Sequence, residues 1–88
     1  MESNFLFHSE IRKILSDISK QKCDKLDLND DLFSIGVLDS FATIEFVGAL
    51  EEYFNCIIPQ EDLIPQNLWS IQAVSAMLIK LRVNPTSY

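Results

Sequence analysis

Among the side chains of this sequence that could do covalent chemistry, Ser40 has the most informative setting. It follows Asp39 at the end of a long stretch with no helical period and opens a segment that has one. A serine there has two uses. It can cap the helix, or it can accept a phosphoryl-type group delivered by another protein. The first helical turn presents unpaired N–H groups and the positive end of the macrodipole, which favours an anion by about 0.3–1 kcal/mol. Asp39 would oppose a bare phosphate. Its carboxylate better suits a divalent cation shared with phosphates during transfer, since magnesium takes oxygen ligands. Residue types and spacing leave cap and modification site level.

Catalysis by the chain itself is not expected. Serine hydrolysis needs a base beside the nucleophile and donors for an oxyanion. The single histidine, His8, lies in a different segment, and no Gly-x-Ser-x-Gly elbow surrounds Ser40. Lys13, Lys20, Lys22, Lys25 and Lys80 are bases in principle, but nothing marks any of them as buried. No paired carboxylates flank a pocket, and a chain of 88 residues has little room for one. Cys23 and Cys56 lack the second pair or histidine spacing of a metal site, so free thiols and no metal are expected. His8 is expected to be an ordinary, partly exposed helix residue.

The bulk composition narrows the partners. Eighty-eight residues, 48 % of them hydrophobic, make one domain able to close a core without disulfides or metal. The net charge of −6 repels phosphate backbones and anionic lipid, so neither nucleic acid nor a membrane surface is an expected partner. No run reaches the roughly 18 apolar residues of a membrane span, and no basic segment or cleavage site marks the start as an export signal. A monomeric cytoplasmic protein is the expectation.

Four elements are expected to position these residues. Phe7, Ile11, Ile14, Leu15 and Ile18 recur at helical spacing and predict a helix over about residues 5–20, with Glu10, Arg12, Lys13, Asp17 and Lys20 solvated opposite. From Gln21 to Leu38 the period is lost, yet Leu26, Leu28, Leu32, Phe33 and Ile35 are too apolar for a loose linker. Long irregular loops of this kind are usually functional. Gly36 can supply a turn other residues resist. A second helix is predicted over about 40–54, with Ile44, Val47, Leu50 and Phe54 as its buried stripe and Phe41, Glu45, Gly48 and Glu52 on another face. Gly48 costs about 1 kcal/mol relative to Ala in a helix, which close approach by a neighbour or partner would explain. Gln60–Ile64 can form one short turn before Pro65, and Ser70 caps a last helix bearing Ile71, Val74, Leu78 and Leu81. The fold class is all-α: three main helices, a short fourth, and a long loop between helices 1 and 2. The domain spans 1–88, with its core over about 5–82 and a C-terminal tail at 83–88.

The stretch Leu32-Phe33-Ser34-Ile35-Gly36-Val37-Leu38-Asp39-Ser40-Phe41-Ala42-Thr43-Ile44-Glu45-Phe46-Val47 resembles the attachment motif of the acyl carrier and peptidyl carrier superfamily. The likeness continues through Ala49-Leu50-Glu51-Glu52-Tyr53-Phe54 and Ile57-Ile58-Pro59, and covers about residues 5–82. Asp-Ser with Gly three before the Asp, Thr three after the Ser, and Glu-Glu-x-Phe closing the helix make it specific. Two departures concern the cargo. Phe41 stands where Leu or Met is usual, and Asp62-Leu63-Ile64-Pro65-Gln66-Asn67-Leu68-Trp69 is longer than in fatty-acid carriers. A tryptophan here resembles stand-alone D-alanyl carriers and some peptidyl carriers; Trp69 itself is expected to plug the core near the helix ends.

The resemblance implies that Ser40 takes 4′-phosphopantetheine from coenzyme A, with Asp39 assisting through a magnesium contact in the transferase complex. Its partners would be a phosphopantetheinyl transferase and an adenylating, acyl-activating enzyme. Downstream condensing, tailoring or thioesterase enzymes would act in trans. The docking face is expected to be Phe41, Ala42, Glu45, Gly48 and Glu52, with Val37 and Leu38 on the loop. A peptidyl or aminoacyl carrier in nonribosomal secondary metabolism is the first reading. A D-alanyl carrier for a cell-envelope polymer comes second, and a fatty-acid or polyketide acyl carrier third. The rival from another class is an acidic helical adaptor without a prosthetic group, in which Ser40 is only a cap.

Overall fold

The computed structural model describes residues 3–83; the expected tail from Asn84 lies outside them. Among the described residues the architecture is all-helical: α1 (Ser3–Ser19), α2 (Ser40–Phe54), a 3-10 turn at Gln60–Asp62, the one-turn α3 (Pro65–Leu68) and α4 (Ile71–Lys80). The short turn expected over Gln60–Ile64 is the 3-10 turn at Gln60–Asp62, and α3 is an element that the sequence reading lacked, formed because Pro65 takes the first position of a new helix.

The α1 stripe packs as its spacing predicts. Phe7, Ile11, Ile14 and Leu15 are buried and Ile18 is half-buried, against both α2 and α4. The ring of Phe7 meets that of Phe54 edge-on at 5.3 Å, which sets the start of α1 beside the end of α2. His8 departs from expectation. It is 8 % exposed, and burial together with the nearby Arg12 charge holds its pKa below the ordinary histidine range.

The α2 stripe is rotated from its expected phase. Phe46, Leu50 and Phe54 are buried, Val47 is half-buried, and Ile44 is 72 % exposed. Both Ile44 and Phe46 are apolar and only two residues apart, so hydropathy alone does not choose between them. The larger ring takes the core. Gly48 has nothing within 4 Å of where a Cβ would stand, so no neighbouring helix accounts for it.

Helix ends are made locally. Asn55 adopts the left-handed conformation (φ 52°, ψ 54°) and stops α2, with the Cys56 amide returning to Glu51 O at 3.0 Å. Ser70 caps α4 as expected, its Oγ accepting from Ala73 N at 3.0 Å. Ile71, Val74 and Leu78 face the core and Leu81 is half-buried. Ser75 on the same helix is also buried, and its hydroxyl has no hydrogen-bond partner. Ser75→Ala is therefore expected to stabilise the fold by about 1 kcal/mol, read as a higher urea midpoint, since it removes an orphan polar group and improves helix propensity.

The long loop is pinned at both sides. Leu32 and Cys23 are buried, with Leu26 and Leu28 packed against the core. Arg12, expected to be solvated, instead reaches across so that Nε and Nη2 donate to Leu26 O at 3.2 and 2.8 Å. Ser16 Oγ accepts from Cys23 N at 2.9 Å. On the opposite side Leu32 N donates to Trp69 O at 2.7 Å, and Gln72 N, an orphan amide in the first turn of α4, donates to Leu28 O at 2.9 Å. Both cysteines are free thiols, Cys23 buried and Cys56 half-buried.

Candidate functional site

Residues 31–39 form a tight approach to α2. Asp31 Oδ1 accepts from the amides of Phe33 and Ser34, and its Oδ2 from the Ser34 hydroxyl at 3.0 Å. Gly36 follows at φ +82°, a conformation that L side chains rarely adopt, as the sequence anticipates. Val37 N and Leu38 N then both donate to Leu32 O at 3.0 Å. This closes the turn and drives the two side chains inward.

Val37 and Leu38 were expected on the docking face. They are 4 % and 2 % exposed and belong to the core. Each is a branched apolar residue beside a turn that leaves no outward path, so their work is to anchor the loop that delivers Asp39 and Ser40.

Asp39 is the N-cap of α2. Its backbone is extended (φ −139°, ψ −174°) and Oδ1 accepts from Ala42 N at 2.7 Å. Its carbonyl accepts from Thr43 N at 2.9 Å and Thr43 Oγ1 at 2.6 Å. Capping therefore falls to Asp39. Ser40 is the first residue of α2, exposed, and its hydroxyl is not the cap.

The solvent face of α2 carries the rest of the expected set. Phe41 is 71 % exposed, Glu45, Gly48 and Glu52 are exposed, and Ala42 is half-buried at the edge. Ile44 joins this face although the sequence reading placed it in the core. It also lines a concavity of about 240 Å³ with Thr43, Val47, Leu63 and Leu68, one helical turn from Ser40. The i+3, i+4 and i+7 positions from Ser40 could have revealed three of these five residues; Leu63 and Leu68 arrive through the tertiary fold. Leu68, not Trp69, is the buried plug of this region, and Trp69 remains partly exposed. Glu51 also has a structural task, its Oε2 accepting from Ile58 N at 2.8 Å.

Among the described residues no group of His, Cys, Asp and Glu is arranged to hold a metal ion. No helix among them is long and apolar enough to cross a membrane. The site's chemistry is thus one exposed hydroxyl at a helix N-terminus, supported by a capping carboxylate and reached past a rigid turn.

That combination suits the attachment of a group by another protein. Comparison with protein families matches residues 9–78 to the phosphopantetheine attachment site family, and the chain belongs to that family. The family's group is covalent 4′-phosphopantetheine, and the residues here fit it: an exposed serine whose hydroxyl the fold does not use. Among curated proteins, the chain is similar to the D-alanyl carrier protein of Bacillus licheniformis, 34 % identical over 53 residues, or 60 % of this chain and 68 % of that protein. The D-alanyl carrier protein of Streptococcus mutans is 35 % identical over 51 residues, 58 % of this chain and 63 % of its own length. That of Bacillus subtilis is 30 % identical over 53 residues, 60 % of this chain and 68 % of its own. The chain therefore matches about two thirds of the length of these relatives.

Proposed function

We propose that the chain is an aminoacyl carrier that holds D-alanine as a thioester on 4′-phosphopantetheine attached to Ser40. The observation that carries the attachment point is the division between Asp39, which caps α2, and Ser40, which is exposed and spared that task. The D-alanyl cargo rests on the relatives, which favour it over the nonribosomal peptidyl reading that the motif alone put first. The five residues lining the concavity beside Ser40 carry no charge to pair with an aminoacyl ammonium of either kind. Such a cargo stays in water, ready for transfer.

The arm supplies a terminal thiol; everything else asked of this chain is presentation. Ser40 offers the hydroxyl that becomes the phosphodiester oxygen, and the base for its proton belongs to the transferase, because His8 is buried in α1. Asp39 keeps Oδ1 on Ala42 N, and its carboxylate stands next to the transfer for a magnesium contact. Phe41, Ala42, Glu45, Gly48 and Glu52, now with Ile44, form the face on which the transferase and the acyl-activating enzyme dock, with charge setting encounter. Tethering then raises the local concentration of the activated group.

The test is sequential loading read by intact mass. With coenzyme A, magnesium and a broad-specificity transferase, the protein is expected to gain one phosphopantetheine, and then one alanyl group from a D-alanine-adenylating enzyme. Loading by an adenylating enzyme for an L-amino acid, but not for D-alanine, would restore the peptidyl reading. Absence of the first gain on folded protein would leave the adaptor.

A further inference from the structure

The turn that leads into α2 hangs on one side chain, that of Asp31, nine residues before Ser40. Asp31 Oδ1 accepts from Phe33 N at 3.1 Å and from Ser34 N at 3.3 Å, and Oδ2 from Ser34 Oγ at 3.0 Å. Its carbonyl accepts from Ile35 N at 3.1 Å. This is the arrangement of a helix cap, spent here on a single turn that no helix continues. Gly36 N closes on Phe33 O at 3.2 Å, and the positive φ of Gly36 then reverses the chain. Among the described residues no other side chain hydrogen-bonds to the backbone of residues 32–38. The carboxylate is exposed, and the ion pair found among those residues joins Lys80 to Asp62 elsewhere. Its partners are the turn's own N–H and O–H groups.

The turn in turn fixes Leu32. Leu32 N is tied to Trp69 O at 2.7 Å, and Leu32 O takes both Val37 N and Leu38 N at 3.0 Å. Leu38 is two residues from Ser40. We propose that Asp31 is a positioning residue for the attachment reaction: it keeps the 32–38 turn closed, so that Ser40 meets a transferase already in place. The proposal rests on the carrier reading of Ser40. Without the carboxylate the turn opens part of the time, and only the closed fraction presents the serine correctly. Apparent affinity for the transferase falls by that fraction, while the step after seating is unchanged. Asparagine keeps an oxygen for the two amides and a group able to bond the Ser34 hydroxyl, without the charge.

The test compares native protein, Asp31→Ala and Asp31→Asn in loading kinetics and in amide hydrogen exchange. Loading uses coenzyme A, magnesium and a broad-specificity phosphopantetheinyl transferase. D31A is expected to raise the KM for the carrier about tenfold with kcat within about twofold of native, and D31N to restore both. Exchange at Val37 and Leu38 should be faster in D31A and native in D31N. Exchange at the buried Ile14 and Leu15 stays slow and reports the fold. A native KM in D31A would overturn the proposal even with a lowered unfolding midpoint, because Asp31 then only stabilises. A D31N protein as impaired as D31A would also overturn it, by assigning the charge to a partner instead of the turn. If the native protein gains no arm, the carrier reading fails by itself. Unchanged Val37 and Leu38 exchange in D31A then overturns the positioning as well, and faster exchange restored by D31N upholds it.

Discussion

Ser40→Ala is expected to gain no mass under conditions that load the native protein, while its urea midpoint moves by less than about 0.5 kcal/mol equivalent. The reason is the separation of tasks at the start of α2. Asp39 Oδ1 holds the Ala42 amide at 2.7 Å, so the serine hydroxyl has no part in ending the helix. Asp39→Ala should show the reverse weighting, with stability falling by about 0.5–2 kcal/mol as that amide loses its acceptor. Asp39→Asn separates cap from charge. Asparagine caps as well as aspartate, so this variant should be as stable as native and slower only in transfer. A Ser40→Ala protein destabilised by about 1 kcal/mol would mean that the serine is a cap after all. A Ser40→Ala protein that still gains the arm would move the attachment elsewhere, with Ser34 the nearest exposed hydroxyl along the chain.

The other large effect separates two apolar residues of α2. Phe46 is 0 % exposed, and Phe46→Ala is expected to cost about 3–5 kcal/mol, a large share of what a small domain has. Ile44 is 72 % exposed, and Ile44→Ala should leave the unfolding midpoint within about 0.5 kcal/mol of native. The same Ile44 variant should slow loading by the acyl-activating enzyme, because it truncates the face around Ser40. Denaturant titration beside a loading time course checks both halves. Equal destabilisation by the two substitutions would return Ile44 to the core.

This pair also marks where the sequence stops being legible. The spacing of Phe7, Ile11, Ile14 and Leu15 locates α1, because polar residues separate the apolar ones cleanly. Across Phe41–Leu50 six of ten residues are large or branched apolar groups or Thr, and several helical phases fit almost equally. Only packing against α1 chooses among them. The loop shows the same limit. Gly36, Asp39 and Ser40 could be read from residue chemistry, and the structure places them at the turn, the cap and the first helical position. Val37 and Leu38 could not, since apolar residues beside a functional serine fit a contact surface or an anchor equally well. Their inward direction follows from two amides sharing the Leu32 carbonyl, a tertiary arrangement that no local pattern announces. Arg12 is similar. A charged residue on the outer side of an amphipathic helix reads as solvated until a carbonyl such as that of Leu26 comes within its reach.

The straps from Leu32 N to Trp69 O and from Gln72 N to Leu28 O have a consequence for how the molecule breathes. Each joins segments about 40 residues apart in the chain, and each shields an amide that no helix of its own protects. The loop that presents Ser40 and the junction of α3 with α4 then open as one cooperative unit, not as two independently fraying ends. Deuterium would enter the Leu32 and Gln72 amides at a common rate, slow beside that of the exposed Phe33–Gly36 turn. A pull on Ser40 would then be borne by both straps together.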